Sequence, residues 1–186
     1  MDLIEAIFQR RAVRDYTEAK VTATRIHELF NAAVQAPSAM NQQPWVFAVF
    51  QGKARLKDFS DRAKAHFLAK KLPHFGFHER GDTLTEPDFN IFYNASTLLV
   101  ICARDQGLNP AEDCCLAAQN LLLAAHAAGL ATCPIGLARP WLNLHNVKEE
   151  LGIPADLTVV FPLVIGHSAG VTKPVAHQAP DIVCWQ

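Results

Sequence analysis

Residues 36–45, Ala-Pro-Ser-Ala-Met-Asn-Gln-Gln-Pro-Trp, hold one serine hydroxyl, one asparagine amide and two glutamine amides, with no charged side chain. A loop of this kind donates and accepts hydrogen bonds without titrating, which suits a planar ligand with polar edges. Pro37 and Pro44 restrict its movement. Pro, Ser and Asn are also the ordinary content of a helix-to-strand connection, so chemistry alone leaves both readings open. Upstream, Arg10, Arg11 and Arg14 surround Ala12 and Val13. Guanidinium groups this close can converge on an anion, and each can grip phosphate oxygens through two parallel hydrogen bonds. They also end an amphipathic segment, Asp2 to Arg10, where cations complement the negative end of a helix dipole.

Together the clusters form an ordered pattern: an N-terminal helix, Arg-Arg-small-x-Arg, then a helix ending in Ala-Pro-Ser-x-x-Asn-x-Gln-Pro-Trp. This pattern resembles the nitroreductase family of flavin mononucleotide (FMN) enzymes. Gln119 to Ala125, followed by Gly129-Leu130-Ala131-Thr132, resembles the family's central helix and its exit. Pro134-Ile135-Gly136 falls where the family places backbone against the flavin, and Asp181 to Trp185 is similar to the close of many members. The resemblance covers nearly the whole chain apart from residues 60–92. It implies an α+β (mixed α/β) fold: a three-layer sandwich with a central, mostly antiparallel sheet flanked by helices, in an intertwined homodimer with shared flavin sites. It also implies a hydride relay from NADH or NADPH through FMN to a nitroaromatic, quinone or similar acceptor.

Residue roles carry over from the resemblance position by position. Arg10 would hold the phosphate or ribityl chain, joined by Lys173 and His177. Members commonly have a second arginine or lysine near there, whereas this tail offers Val175 and Ala176 before His177. Arg11 would add charge and backbone contacts. Ala12 stands where many members have a serine that bonds the ribityl chain; the missing hydrogen bond is worth about 1 kcal/mol. Arg14 would approach the pyrimidine edge of the ring. A cation about 4 Å from the charge left by reduction gains roughly 4 kcal/mol at an effective dielectric near 20, before desolvation. Ser38 and Asn41 would reach the flavin from the opposite subunit, with Pro37 and Ala39 shaping the wall. The backbone of Pro134, Ile135 and Gly136 would face the reactive nitrogen, Gly136 allowing close approach. No side chain is required as a nucleophile. Other chemistries in the family, dehalogenation and flavin fragmentation, and flavin binding without turnover are the alternatives.

Three further motifs compete. Gly166-His167-Ser168-Ala169-Gly170 matches the G-x-S-x-G elbow of serine hydrolases. That elbow needs a helix directly after it, then an acid and a histidine in that order. Thr172, Lys173 and Pro174 make poor helix, and His177 precedes Asp181, so Ser168 is expected in a loop. His74 and His78 have metal-ligand spacing but no supporting cysteine or carboxylate set. His126, inside an apolar run, is expected to be a satisfied core histidine. No G-x-G-x-x-G occurs, so a nicotinamide must use an open site rather than a dedicated dinucleotide domain.

The elements that position these residues follow from period and punctuation. The 186 residues suit one domain, half of them hydrophobic, with 17 basic against 18 acidic residues. That balance argues against a nucleic-acid or anionic-membrane surface. No apolar run reaches the roughly 18 residues of a membrane span, and no signal peptide is apparent. The odd count of five cysteines, without C-x-x-C, predicts buried thiols in a reducing cytoplasm. Helices are expected from Asp2, from Thr22 or Thr24 to Gln35, after Gly52, from a cap at Asn109 to Ala128, and near Leu142 to Leu151. Strands are expected at Trp45–Phe50 and Leu98–Ala103, both covered on two faces, and at Leu157–Gly166. The helix after Asn109 is apolar on nearly every side, which predicts packing against its symmetry mate. Residues 70–95 lack a period and are expected to form a lid or insertion, and 167–186 a C-terminal arm.

Overall fold

The computed structural model describes residues 1–70, 84–105 and 107–186. The His74 and His78 pair and residues 71–83 of the expected lid lie outside the described residues. Helix α1 (Leu3–Gln9) begins where the Asp2 carboxylate accepts the Glu5 N–H at 2.7 Å. Helix α2 (Ala23–Ala33) begins at Thr22, whose hydroxyl accepts from Arg25 N at 3.3 Å. A 3-10 turn at Ala39–Asn41 leads into strand β1 (Trp45–Gln51), followed by α3 (Lys53–Ala69) and β2 (Thr97–Arg104). Then come α4 (Pro110–Ala127), β3 (Ala131–Pro134), a second 3-10 turn at Gly136–Ala138, α5 (Arg139–Leu142), α6 (His145–Leu151) and β4 (Leu157–Gly166).

The strands form one sheet in the order β1-β2-β4-β3, every neighbouring pair antiparallel. Alternation along β2 supplies a core to each face. Leu98, Val100 and Cys102 pack with Leu56 and Phe59 of α3, Trp141 of α5 and Val147 of α6. Leu99, Ile101 and Ala103 pack with Ile26 and Leu29 of α2 and with Ala117 and Leu121 of α4. The result is the three-layer sandwich that the family resemblance implied. One β-bulge, between Ile101 and Cys102 against β4, shifts the register so that Val160 and Phe161, consecutive in the strand, pack against the same core.

Several expectations need correction. Strand β1 is not covered on both faces: it ends the sheet, with Val46, Phe47 and Ala48 half-buried and Val49 exposed. Strand β3 was not foreseen, because four residues are too few to show alternation. The helix expected over Leu142–Leu151 is broken at Asn143. The Asn143 side chain donates to Val159 O and accepts from Val159 N, both at 2.9 Å, pairing with β4 as a peptide group would. Asn109 makes no side-chain cap, although Pro110 does open α4 and Gly129 leaves it at φ +75°.

Helix α4 is not sealed all round within the chain: Ala117, Ala118, Leu121 and Ala125 are buried, but Leu116 is 46% exposed. The apolar stripe of α1 is also uncovered, with Leu3, Ile4, Ile7 and Phe8 all exposed. Cys102, Cys114 and Cys133 are buried as expected, and burial pushes the Cys102 thiol up to about 11 and that of Cys114 to about 12. Cys115 and Cys184 are exposed, against expectation.

The described part of the expected lid is anchored. Lys64, buried on α3, donates to Phe89 O at 2.6 Å, and the Ser60 hydroxyl accepts from Ile91 N at 3.0 Å. Ile91 and Phe92 enter the core. Residues 171–186 are exposed throughout.

Leu121 of α4 has no exposed surface at the centre of the α2–α4 core. Leu121→Ala is expected to destabilise the chain by about 2–5 kcal/mol, read as a lowered urea midpoint with an unchanged slope.

Candidate functional site

The arginine segment is held by backbone hydrogen bonds. Ala12 forms a parallel bridge with Thr132 on the outer edge of β3, and Val13 N donates to Thr132 O at 3.0 Å. Tyr16 bridges Ser168, Thr17 N donates to His167 O at 2.9 Å, and Ala169 N donates to Asp15 O at 3.1 Å. The buried Tyr16 ring lies over Gly166, where an added β-carbon would come within 2.8 Å of it. Its hydroxyl donates back to Val13 O at 2.8 Å, and burial pushes its pKa far up. Residues 12–17 are therefore fixed to the sheet, and the arginines around them have a rigid base.

Arg10 and Arg11 leave that base on the side of the C-terminal end of α4. Arg11 donates Nη1 to Phe8 O at 2.7 Å and to Arg10 O at 2.8 Å, satisfying carbonyls at the end of α1. Both arginines line a cavity of about 330 Å³. Its other walls include His126, the backbone of Gly129 to Thr132, and Ser168 to Thr172 without Ala169. Two nitrogens are sealed from water without a partner, Arg11 Nε and His126 Nε2. His126 is thus not the satisfied core histidine expected. Burial, then Arg10 and Arg11, hold its pKa below the usual imidazole range, with Glu5 opposing them. A positively charged cavity with unmet donors fits the phosphate end of FMN.

Arg14 takes a different direction. Its side chain is exposed, and its guanidinium carbon lies 5.8 Å from the centroid of the Tyr93 ring. Tyr93 and Asn94 both adopt positive φ, 52° and 57°, which turns the chain back towards β2.

The amide-rich loop sits at the other end of α4. Asp113, in the helix's first turn and buried, accepts Ala39 N–H at 3.2 Å on each carboxylate oxygen. The Ser38 hydroxyl accepts from Gln43 N at 3.0 Å, and Asn41 Oδ1 accepts from Gln43 Nε2 at 2.9 Å. Met40, Asn41 and Gln43 have φ values near +50° and Met40 is 86% exposed, so the loop presents itself outwards. None of Pro37, Ser38, Ala39 or Asn41 lines the cavity of Arg10 and Arg11. Asp113 and His126 are thirteen residues apart on α4, roughly 20 Å along the axis. The two groups of expected site residues therefore stand apart within one chain.

Pro134 and Gly136 are exposed, and a β-carbon on Gly136 would meet nothing within 4 Å. Gly136 therefore makes no room for the chain's own atoms. Buried Ile135 donates its N–H to Pro162 O at 2.8 Å. Lys173 and His177 are exposed and stand outside the cavity wall. Ser168 donates to Gly170 O at 2.6 Å and no helix follows it, so the hydrolase elbow is not formed. Among the described residues no cluster of three His, Cys, Asp or Glu side chains could hold a metal, and no helix is long and apolar enough to cross a membrane.

Residue pattern missed three contributors. Asp113 was legible as an acid in the first turn of an otherwise apolar helix. His126 was legible only as a polar interruption. Tyr93 carried no signal, because its partner Arg14 is remote in sequence.

Comparison with known proteins agrees with this architecture. The model of the Nitroreductase family matches residues 7–167. The nitrobenzene nitroreductase of Ectopseudomonas oleovorans is 29% identical over 196 residues, covering 87% of this chain and 85% of its own. A nitroreductase of Bacteroides fragilis, solved with bound FMN, superposes with a TM-score of 0.83 at 24% identity, over 100% of both chains. The FMN-dependent nitroreductase NfnB of Mycobacterium smegmatis, solved in complex with NADPH, gives a TM-score of 0.69 at 23% identity, over 89% of this chain and 87% of its own. With the sheet order, the edge-docked arginine segment and a family match over most of its length, the chain belongs to the nitroreductase family.

Proposed function

We propose that this protein is an FMN-dependent oxidoreductase that passes reducing equivalents from NADH or NADPH to a nitroaromatic, quinone or similar acceptor. The observation that carries the proposal is the rigidly held cavity of Arg10 and Arg11, with a sealed, unpartnered guanidinium nitrogen. The names of relatives that reduce nitrobenzene or flavin itself point the same way. When bound, FMN supplies the hydride chemistry; the protein places it and tunes it.

The chain's own residues would divide that work. Arg10 and Arg11 neutralise the phosphate. Ala12 offers backbone only, so the ribityl chain gains no hydroxyl partner from it. Arg14 brings positive charge to the pyrimidine edge, where it favours the reduced ring. Stacking on Tyr93 is worth about 0.5–1 kcal/mol at an exposed site and limits the directions Arg14 can take. The exposed backbone at Pro134 and Gly136, with Ile135 between them, walls the ring without a titrating group. Lys173 and His177, in the exposed arm, would close over the phosphate. No residue of this set needs to act as a nucleophile, and the open cleft lets donor and acceptor use one face in turn.

We further propose that the active form is a homodimer in which Pro37, Ser38, Ala39 and Asn41 of one copy complete the flavin site of the other. The separation of the two groups of residues along α4 supports this arrangement. So do the uncovered apolar stripe of α1 and the arm, where Val183 is 97% and Trp185 87% exposed. The unpaired edge of β1 is an open position for such an arm. None of the five cysteines is joined in a disulfide, which fits a cytoplasmic setting. Residues 1–186 are read as one domain, its arm at 167–186 reaching the second copy.

Purified protein is expected to be yellow, and to oxidise NADH or NADPH with a quinone; colourless protein that refuses added FMN would overturn the proposal. Arg10→Ala is expected to come off the column largely colourless, measured as the ratio of flavin to protein absorbance. Arg14→Ala should retain flavin but reduce it about tenfold or more slowly in stopped flow, with wild-type rates counting against the tuning role. Sedimentation at micromolar concentration should give twice the chain mass; the mass of one chain would remove the shared site.

A further inference from the structure

His126 stands out because its Nε2 is sealed from water and unpartnered while lining a cavity walled by guanidinium groups. A buried polar nitrogen left without a hydrogen bond is unfavourable, so it needs either a partner that arrives from outside or a compensating gain elsewhere. No surrounding side chain hydrogen-bonds to it. Arg10 and Arg11 are donors only, and the sealed Arg11 Nε has the same unmet need. The Thr132 backbone carbonyl takes Val13 N–H, and the Ser168 hydroxyl is turned to the Gly170 backbone. Glu5, the acid that acts on His126 from α1, accepts Gln9 Nε2 on Oε1 at 3.0 Å and makes no hydrogen bond to the imidazole Nε2. The exposed Lys173 and His177 do not reach the cavity wall, so the fold delivers no cation there from the arm within one chain.

We propose that His126 is a direct ligand of the cofactor's phosphate, donating Nε2–H to a phosphate oxygen beside Arg10 and Arg11. The inference rests on the flavin reading above and deepens it. Neutral imidazole can donate from Nε2, and burial, then the neighbouring guanidiniums, lower the His126 pKa in favour of the neutral ring. Residue 126 lies in the last turn of α4, and Gly129 turns the chain away at φ +75°. The imidazole lines the cavity from that turn. His126 thus supplies from the core helix a contact that the arm does not supply in this conformation.

The test compares binding of FMN and of riboflavin, which lacks the phosphate, to wild type, His126→Leu and His126→Gln, by flavin fluorescence quenching. A hydrogen bond to a charged group predicts that Leu weakens FMN about tenfold or more, leaves riboflavin within about twofold, and that Gln, which keeps a donor, recovers part of the loss. Equal weakening of both flavins would assign His126 a structural role and overturn the inference, as would unchanged FMN affinity. A second arm needs no variant: titrating inorganic phosphate into the wild-type protein should shift the His126 imidazole resonances in NMR. Wild type that fails to bind FMN while phosphate shifts His126 would sink the flavin reading and keep the anion ligand. Absence of both effects would overturn the ligand as well.

Discussion

The clamp between residues 12–17 and the edge of the sheet is the constraint on which the site depends. A parallel bridge to Thr132, an antiparallel bridge to Ser168 and the Tyr16 ring over Gly166 hold this stretch at several points. Each backbone bond is modest alone, about 1 kcal/mol net. Together they cover the outer edge of β3 and set Arg10, Arg11 and Arg14 at fixed exits. Flexible guanidinium chains would otherwise lose much of their binding free energy to ordering. Because the clamp uses backbone groups, it is indifferent to the small side chain of Ala12.

Helix α4 is the second organising element. Its buried face forms one core with β2, β4 and α2, and its two ends carry different polar groups, Asp113 and His126. Asp113 at the first turn fixes the amide-rich loop through Ala39 N–H. His126 at the last turn enters the arginine cavity. In the homodimer we propose, the exposed Leu116 and the apolar stripe of α1 become interior, and each helix serves two flavin sites at once. Such packing would cover the apolar side chains that α1 leaves exposed.

Much of the fold was legible in residue pattern. The caps at Asp2 and Thr22, the Pro110 start and Gly129 stop of α4, and the full extent of β4 follow local rules that tertiary contacts did not override. Strand β1 misled because apolar composition reports what a strand can bury, not what lies beside it. The break at Asn143 misled because its amide found a partner on β4, sixteen residues ahead. Both depend on neighbours remote in sequence.

The sequence alone determined the chemical inventory: clustered guanidiniums, an amide-rich loop between prolines, and a nearly apolar helix to separate them. Short-range spacing carries such information because capping, turning and amphipathic burial act over a few residues. Only the tertiary structure decided which groups share a cavity, that His126 joins Arg10 and Arg11, that Tyr93 supports Arg14, and that the loop of Ser38 and Asn41 stands apart from them. Those outcomes are set by strand order and edge docking, which bring distant residues within hydrogen-bonding range and leave no trace in local periodicity.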